Sequence, residues 1–175
     1  ICTDVIFSDR STDKTFIGLF RDVFYKYDKS TGRVLFKADF RSNKSVIRQN
    51  SHKLICLNKN HMVLVRRYKL KKVDIYNNKV IQRKIISKRY NITSDVSSDN
   101  LRSKFCTMGN EIVNGIVFYD FYIFIFSSDT LELILPPIKL PDENPFCMSP
   151  SGKFVVFTDK GKLYRIDLEK KGLKK

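Results

Sequence analysis

The chain has 175 residues, the length of about one domain. Hydrophobic residues make up 42% of it and aromatic residues 13%, which excludes an intrinsically disordered chain. The 7 Gly and 5 Pro residues exclude a collagen-like or linker protein, and the formal net charge is +15. We therefore expect a single folded domain over residues 1–175.

Short runs rich in Val, Ile, Phe and Tyr predict β-strands along the whole chain. Turn residues separate these runs, and no long window shows a helical stripe with caps. The predicted fold class is therefore all-β. The predicted strands are residues 4–8, 15–20, 23–27, 34–37, 53–57, 62–66, 80–86, 111–118, 122–126, 131–135, 153–157 and 162–166.

The predicted strands group into four blade-like units, each a four-stranded antiparallel sheet. Their bounds are residues 1–40, 41–90, 103–141 and 142–175. The third strands end at Asp28, Tyr76, Ser127 and Asp167, which are 48, 51 and 40 residues apart. The second unit is looser, and we expect an insertion near residues 69–72. A four-stranded unit cannot bury both of its faces alone, so such units stack on one another.

The last unit carries the clearest motif. Residues 146–153 read Phe-Cys-Met-Ser-Pro-Ser-Gly-Lys, and residues 163–167 read Leu-Tyr-Arg-Ile-Asp. In these segments the sequence resembles the WD-repeat β-propeller family, with Ile166-Asp167 at the family's Trp-Asp position. Tyr27-Asp28 occupies the same place in the first unit. The resemblance implies propeller blades that serve as an interaction platform.

Four units are fewer than this family's usual number of blades, so we expect a partial or open ring. The interpretation that we rank first is that the chain is part of a larger propeller, because it starts at Ile1 and not at Met. A ring completed by a partner and a genuine four-bladed ring are the alternatives. The chain has no Trp and no Gly-His pair, so a different propeller family or a β-sandwich stays open.

The positive charge is concentrated in residues 41–90, which hold 15 Lys or Arg residues and one acid, Asp74. The rest of the chain holds 18 basic and 17 acidic residues. Basic side chains neutralise phosphates, and the interleaved Tyr68, Tyr76 and Tyr90 can stack on bases. The candidate nucleic-acid-binding residues are Arg66, Arg67, Lys69, Lys71, Lys72, Lys79, Arg83, Lys84, Lys88 and Arg89.

Strand alternation limits this interpretation, because Arg83 and Lys84 would point to opposite faces of one strand. Not every charge can therefore face a single ligand. An acidic partner protein is one alternative. The other is a solvated outer strand, on which Lys residues block edge pairing.

Enzyme signatures such as GxSxG, GxGxxG and HExxH do not occur in the sequence. We therefore expect that the chain is not an enzyme and has no cofactor, no metal and no small-molecule substrate. His52, Cys56 and His61 are too few for a zinc site. Cys106 and Cys147 both follow a Phe and are expected in the core. No apolar run reaches the length of a transmembrane helix.

The four cysteines lie far apart and form no CxxC pair, which favours a reduced, intracellular setting. The predicted function is a non-enzymatic scaffold in a large nuclear ribonucleoprotein assembly, such as one that builds ribosomes. Its partners would be other protein subunits and RNA or DNA. The alternative is a protein-binding adaptor of a coat or tethering complex, with the basic segment facing an acidic partner or a membrane surface.

Overall fold

The structure of the chain, a computed structural model, describes residues 4–6, 14–20, 23–39, 53–56, 61–77, 79–142, 145–169 and 172–174. These residues form sixteen β-strands and contain no helix, so the all-β prediction is confirmed. The strands are β1 (Asp4–Ile6), β2 (Thr15–Phe20), β3 (Val23–Asp28), β4 (Val34–Asp39), β5 (Lys53–Cys56), β6 (His61–Arg66), β7 (Lys69–Asp74), β8 (Lys79–Ile85), β9 (Tyr90–Ser98), β10 (Lys104–Val113), β11 (Ile116–Ser127), β12 (Ile138–Leu140), β13 (Phe146–Met148), β14 (Phe154–Asp159), β15 (Lys162–Asp167) and β16 (Gly172–Lys174).

The strands form four sheets, and each sheet contains four strands that follow one another in the chain. The sheets are β1–β4, β5–β8, β9–β12 and β13–β16. Strand pairing is antiparallel in the first, third and fourth sheets. The third strands β3, β11 and β15 end at Asp28, Ser127 and Asp167, as the sequence predicted.

The third sheet differs from its prediction. Residues 104–113 form one long strand, and the chain reverses at Asn114-Gly115, whose φ angles of 53° and 81° are both positive. A two-residue hairpin turn of type I′ needs this geometry, and Asn-Gly is its strongest sequence signal. Apolar residues on both sides concealed that signal, so the predicted strand 111–118 ran through the turn.

Three further predictions differ from the structure. Residues 131–135 form no strand, because Leu133 makes only an isolated bridge with Phe126, and β12 is the outer strand instead. Residues 69–72 are not an insertion but the start of the regular strand β7. The third sheet also begins at Tyr90 with β9, earlier than the predicted start at residue 103. The sequence of the second unit also predicts a first strand at residues 46–48, and these residues lie outside the described part of the chain.

The chain divides into two compact units. Unit 1 contains residues 1–64 and 71–83, and unit 2 contains residues 65–70 and 84–175. In unit 1 the Phe36 ring lies 6.4 Å from the Phe24 ring and 4.7 Å from the Tyr76 ring. The prediction of a single domain over residues 1–175 stays a prediction.

The core of unit 2 joins the third and fourth sheets. Apolar side chains of β10, β11 and β12 pack against those of β13, β14 and β15. The core residues are Cys106, Met108, Phe121, Ile123, Ile125, Leu135, Leu140, Met148, Val155, Phe157, Ile166 and Leu168. Sheets stacked in this way bury the apolar faces that each would otherwise expose.

The Ser-Pro-Ser-Gly turn at residues 149–152 lies beside the buried Asp99. The N–H of Gly152 donates to the Ser149 carbonyl at 2.9 Å, and Gly152 has a φ of 66°. A Cβ atom at position 152 would lie 2.9 Å from a carboxylate oxygen of Asp99. Glycine is therefore required here for both its conformation and its size.

Candidate functional site

The structure does not gather the ten predicted basic residues in one compact unit. Lys71, Lys72, Lys79 and Arg83 belong to unit 1, and the other six belong to unit 2. The side chain of Arg66 lies outside the described residues. The predicted set is therefore considered as two groups.

In the unit 1 group, Lys79 and Arg83 point to the exposed face of β8, together with the exposed Ile81. Lys84 points to the opposite face, as alternation predicted. Its Nζ forms an ion pair with the Glu132 carboxylate at 2.5 Å. Strand β8 lies at the edge of its sheet, where exposed cations also discourage pairing with another strand.

The unit 2 group contains a cluster of four exposed cations. Two backbone hydrogen bonds hold residues 67–69 beside residues 86–92: Ile86 N–H donates to the Tyr68 carbonyl at 2.9 Å, and Ile92 N–H donates to the Arg67 carbonyl at 3.0 Å. These bonds place two short basic segments next to each other. We call the cluster the basic corner, and its members are Arg67, Lys69, Lys88 and Arg89.

Arg67 has the backbone conformation of a turn residue. Arg67 lies between strands β6 and β7, and its φ of 51° falls in the left-handed region. It forms an isolated antiparallel bridge with Ile92. A non-glycine residue in this region carries strain of about 1–3 kcal/mol and persists only where its surroundings fix it. Here the bridge to Ile92 supplies that constraint and sets the direction of the chain through the corner.

The three tyrosines of the basic segment have different surroundings. The Tyr90 ring packs edge-on against Tyr122 and Phe124 at 5.2 Å and 5.0 Å, so it anchors the corner to the third sheet. Tyr68 is half-buried, and the Nζ of Lys69 lies 5.3 Å from its ring centre. Tyr76 belongs to unit 1 and packs on a phenylalanine. Tyr68 is thus the aromatic ring that lies between two members of the basic corner, Arg67 and Lys69.

The sequence analysis missed Glu111, which holds Arg89 in place. Glu111 lies at a bulge of β10, between Asn110 and Ile112, and is 8% exposed. Arg89 Nε–H donates to one oxygen of this carboxylate, and the Tyr122 hydroxyl donates to the other at 3.0 Å. A bulge re-aims a side chain in this way. Glu111 is the single acidic residue of the segment 104–113, and this was the signal available in the sequence.

Electrostatics keep this pair charged. The hydrogen bond from Arg89 lowers the pKa of Glu111, and the same bond raises the pKa of Arg89. Burial, followed by the bond to Glu111, raises the pKa of Tyr122, so its hydroxyl stays protonated as a donor. The Arg89 side chain is nonetheless 60% exposed, so its guanidinium is fixed in place and still open to solvent.

A second ion pair lies on the same sheet. Lys139 Nζ contacts the Asp120 carboxylate at 2.7 Å, and this contact raises the pKa of Lys139. Lys139 is also the register partner of Tyr122. The charges on this part of the third sheet are therefore largely paired, which contrasts with the basic corner.

Metal and thiol chemistry find little support in the described part of the chain. No group of three His, Cys, Asp or Glu side chains there could hold a metal ion. Cys106 is a free, buried thiol whose pKa is raised by burial. Cys147 is free but exposed, so the expectation that it lies in the core was wrong. It belongs to the first strand of its sheet, whereas Cys106 belongs to the second.

One structural observation bears on the prediction that the chain has no transmembrane helix. Among the residues that the structure describes, no helix has the length and hydropathy needed to cross a bilayer.

Comparison with known proteins gives a likeness in structure. No protein-family model matches the chain, and no curated protein matches it. One matching solved structure is an oligogalacturonate lyase in complex with manganese, a β-propeller with a TM-score of 0.58 and 12% sequence identity. The match covers 92% of this chain and 48% of that one, so this chain spans about half the length of that structure. The likeness supports the predicted propeller blades.

This comparison corrects one prediction. The absence of enzyme motifs led to the prediction that the chain is not an enzyme, and that prediction was wrong. One solved structure with a similar fold is a lyase, so propeller blades of this kind can carry catalysis. Catalytic groups brought together by folding leave no contiguous motif in the sequence, which is why the search for motifs could not exclude them.

Proposed function

We propose that the chain is a propeller-fold interaction module whose basic corner binds the phosphates of a nucleic acid. One observation carries this proposal. Arg67, Lys69 and Lys88 are exposed, lie on two adjacent segments and form no ion pair with any acid in the described ranges. Arg89 adds a fourth cation, which Glu111 fixes in place.

The physical basis is the release of counterions from a nucleic acid when cations contact its phosphates. Unpaired, exposed cations can make such contacts without first breaking an ion pair. The planar guanidinium of Arg89 is already oriented by Glu111, so less side-chain freedom is lost when it meets a phosphate.

A single-stranded nucleic acid fits this corner better than a duplex. A protein reads a major groove with a helix or a two-stranded ribbon that enters it, whereas the basic corner consists of two short adjacent segments. The corner instead combines exposed cations with one half-buried ring, Tyr68, and single strands bind proteins through backbone charge and base stacking. The proposed setting is a nuclear ribonucleoprotein assembly, with ribosome assembly as the leading example.

The WD-repeat character of the blades is also a proposal. Its support is that Asp28 and Asp167 both end the third strand of their sheets. The Asp28 carboxylate accepts hydrogen bonds from the backbone N–H groups of Ser30 and Thr31, each at 2.9 Å. Hydrogen bonds from Ser30 and Thr31 lower the pKa of Asp28 to about 2.

The test is an anisotropy titration of the chain with a short single-stranded RNA at several salt concentrations. Four phosphate contacts predict a slope of about −2.8 in log affinity against log salt, which is about a 50-fold loss between about 50 and 200 mM. The double variant Arg67→Glu, Lys88→Glu removes two contacts, and its slope should fall to about half.

The double variant Lys160→Glu, Lys162→Glu is the matched control, because both lysines are exposed on the separate β14–β15 hairpin and their reversal changes the net charge by the same amount. This variant should keep the wild-type slope. A slope reduced equally by both changes would assign binding to net charge and contradict the proposal. Oligogalacturonate serves as a competing polyanion, and equal competition per unit charge would also contradict a nucleic-acid preference.

A further inference from the structure

The hairpin of β10 and β11 extends beyond the strands on either side of it. Strand β9 pairs with β10 as far as Tyr90 opposite Glu111, and β12 pairs with β11 only at residues 121–123. Past these points, no described strand lies beside the hairpin. We call residues 112–118 the apolar ribbon.

The ribbon is apolar and exposed. The exposed fractions are 41% for Val113, 64% for Ile116, 51% for Val117 and 44% for Phe118. No charged residue occurs between residues 112 and 119. Exposed apolar residues that are contiguous in this way mark a surface that meets another apolar phase.

The side chains project from both faces of the ribbon. Val113 lies opposite Ile116, whereas Ile112 lies opposite Val117, and neighbouring residues of a strand point to opposite sides. A flat protein surface would cover one of these faces and leave the other in water. An environment that surrounds the ribbon suits this arrangement, and the interface of a lipid bilayer is such an environment.

The length of the ribbon agrees with shallow insertion. The Ile112 N–H donates to the Arg89 carbonyl at 2.5 Å, so the basic corner lies at the root of the ribbon. The Asn114-Gly115 turn lies two to three residues further on, which is about 7–10 Å along a strand. Apolar faces of interfacial elements lie about 5–10 Å deep in a bilayer, close to this length.

Charge selects the kind of bilayer. Lys88 and Arg89 are exposed at the root of the ribbon, where lipid headgroups would lie. The chain as a whole carries a net charge of +15, which attracts an anionic surface and opposes the approach of a second copy.

We infer that the apolar ribbon inserts into the interface of an anionic phospholipid bilayer, with Lys88 and Arg89 against the headgroups. The positive φ angles of Asn114 and Gly115 already hold the hairpin in its inserted conformation, so no segment has to fold on binding. The inference goes beyond nucleic-acid binding. It shares Lys88 and Arg89 with the basic corner and depends in addition on the apolar side chains of the ribbon, which the proposed function does not use.

The first experiment is sedimentation of the chain with vesicles of phosphatidylcholine, with and without about a third of phosphatidylserine. The wild-type chain should bind the anionic vesicles and should not bind the neutral ones. The double variant Ile116→Ser, Val117→Ser should lose at least about tenfold in partition coefficient, because two apolar side chains no longer enter the bilayer. Its affinity for RNA should be unchanged, which separates this inference from the proposed function.

The matched control is Leu163→Ser, which removes an apolar side chain that is 68% exposed on β15. This variant should bind vesicles as wild type does. Equal losses in both variants, or full binding by the ribbon variant, would overturn the inference. Light scattering completes the test, because ribbon-dependent self-association without vesicle binding would assign the ribbon to a second copy.

A spectroscopic test needs one substitution, because the chain has no tryptophan. Phe118→Trp places a single indole on the ribbon. Its emission should shift to shorter wavelength with anionic vesicles and be quenched by lipids brominated near the headgroup. Emission that does not change while the chain sediments with vesicles would place the contact elsewhere and overturn the inference.

Discussion

Two hairpins of unit 2 share a backbone turn and differ in chemistry. The β10–β11 hairpin turns at Asn114-Gly115 and the β14–β15 hairpin at Lys160-Gly161, and all four residues have φ between 45° and 81°. Positive φ at both central residues gives a twist that matches the flanking strands. The turn alone therefore does not determine what a hairpin does.

The flanking residues make the difference. Asp159 and Lys162 oppose each other in the β14–β15 hairpin, whereas Val113 and Ile116 occupy these places in the β10–β11 hairpin. Charged flanking residues keep the β14–β15 hairpin in water, whereas apolar flanking residues make the β10–β11 hairpin a projecting contact surface. The comparison shows that the ribbon is apolar by composition and not because its fold requires it.

The largest expected effect distinguishes the inner and outer parts of β11. Phe124 is fully buried, and Phe118 is 44% exposed on the same strand. Phe124→Ala should lower the free energy of unfolding by about 3–5 kcal/mol, because it opens a cavity. Phe118→Ala should change it by less than about 0.5 kcal/mol. Urea denaturation measures both, and similar losses would show that the ribbon is part of the core.

Two glycines of the same strand pair provide the next test. A Cβ at position 109 would lie 2.5 Å from the Asn91 carbonyl oxygen, whereas one at position 115 would meet no atom within 4 Å. Gly109→Ala should therefore lower the free energy of unfolding by about 3 kcal/mol. Gly115→Ala should cost about 1 kcal/mol through its left-handed conformation alone. Thermal and urea unfolding should give this order, and the reverse order would contradict the described pairing of β9 with β10.

A graft of flanking residues tests the comparison directly. Val113→Asp with Ile116→Lys gives the ribbon the charged pair of the β14–β15 hairpin. The free energy of unfolding should change by less than about 0.5 kcal/mol, because both positions are exposed. Vesicle binding should be lost. A graft that unfolds the chain would show that these side chains support the sheet.

The smallest expected effect is a pH dependence that arises from Glu111. Its pKa is lowered in the folded chain, chiefly by the bond from Arg89. The ionised carboxylate therefore stabilises the fold above its unfolded pKa, and this stabilisation is lost as the pH falls through the lower folded value. Glu111→Gln should remove this part of the loss of folding stability at acidic pH, and Tyr122→Phe should remove a smaller part of it. Urea midpoints at several acidic pH values measure it, and an unchanged decline in Glu111→Gln would contradict the described pair.

The fourth sheet was more predictable from sequence than the third. The Ser-Pro-Ser-Gly turn and the charged hairpin flanks of the fourth sheet are local signals, and its strands alternate between buried and less buried residues. Strand β10 is buried continuously from Phe105 to Glu111 on both faces. A strand buried on both faces has no alternating pattern, so its ends could not be located from periodicity.

The candidate site was predictable in charge but not in geometry. The cations of the basic corner were visible in the composition of residues 41–90. The pairing of residues 67–69 with 86–92, and of Arg89 with Glu111, joins residues that are distant in sequence. Such contacts depend on the fold, and no local pattern reports them.

The most direct test of the proposed function is photo-crosslinking of the chain to single-stranded RNA that contains 4-thiouridine. Mass spectrometry then identifies the peptides that carry nucleotide. The proposal predicts crosslinks in the segments around residues 67–69 and 86–90, with Tyr68 the favoured residue. Crosslinks confined to the β14–β15 hairpin, or spread over the lysines of the whole chain, would contradict a nucleic-acid interface at the basic corner.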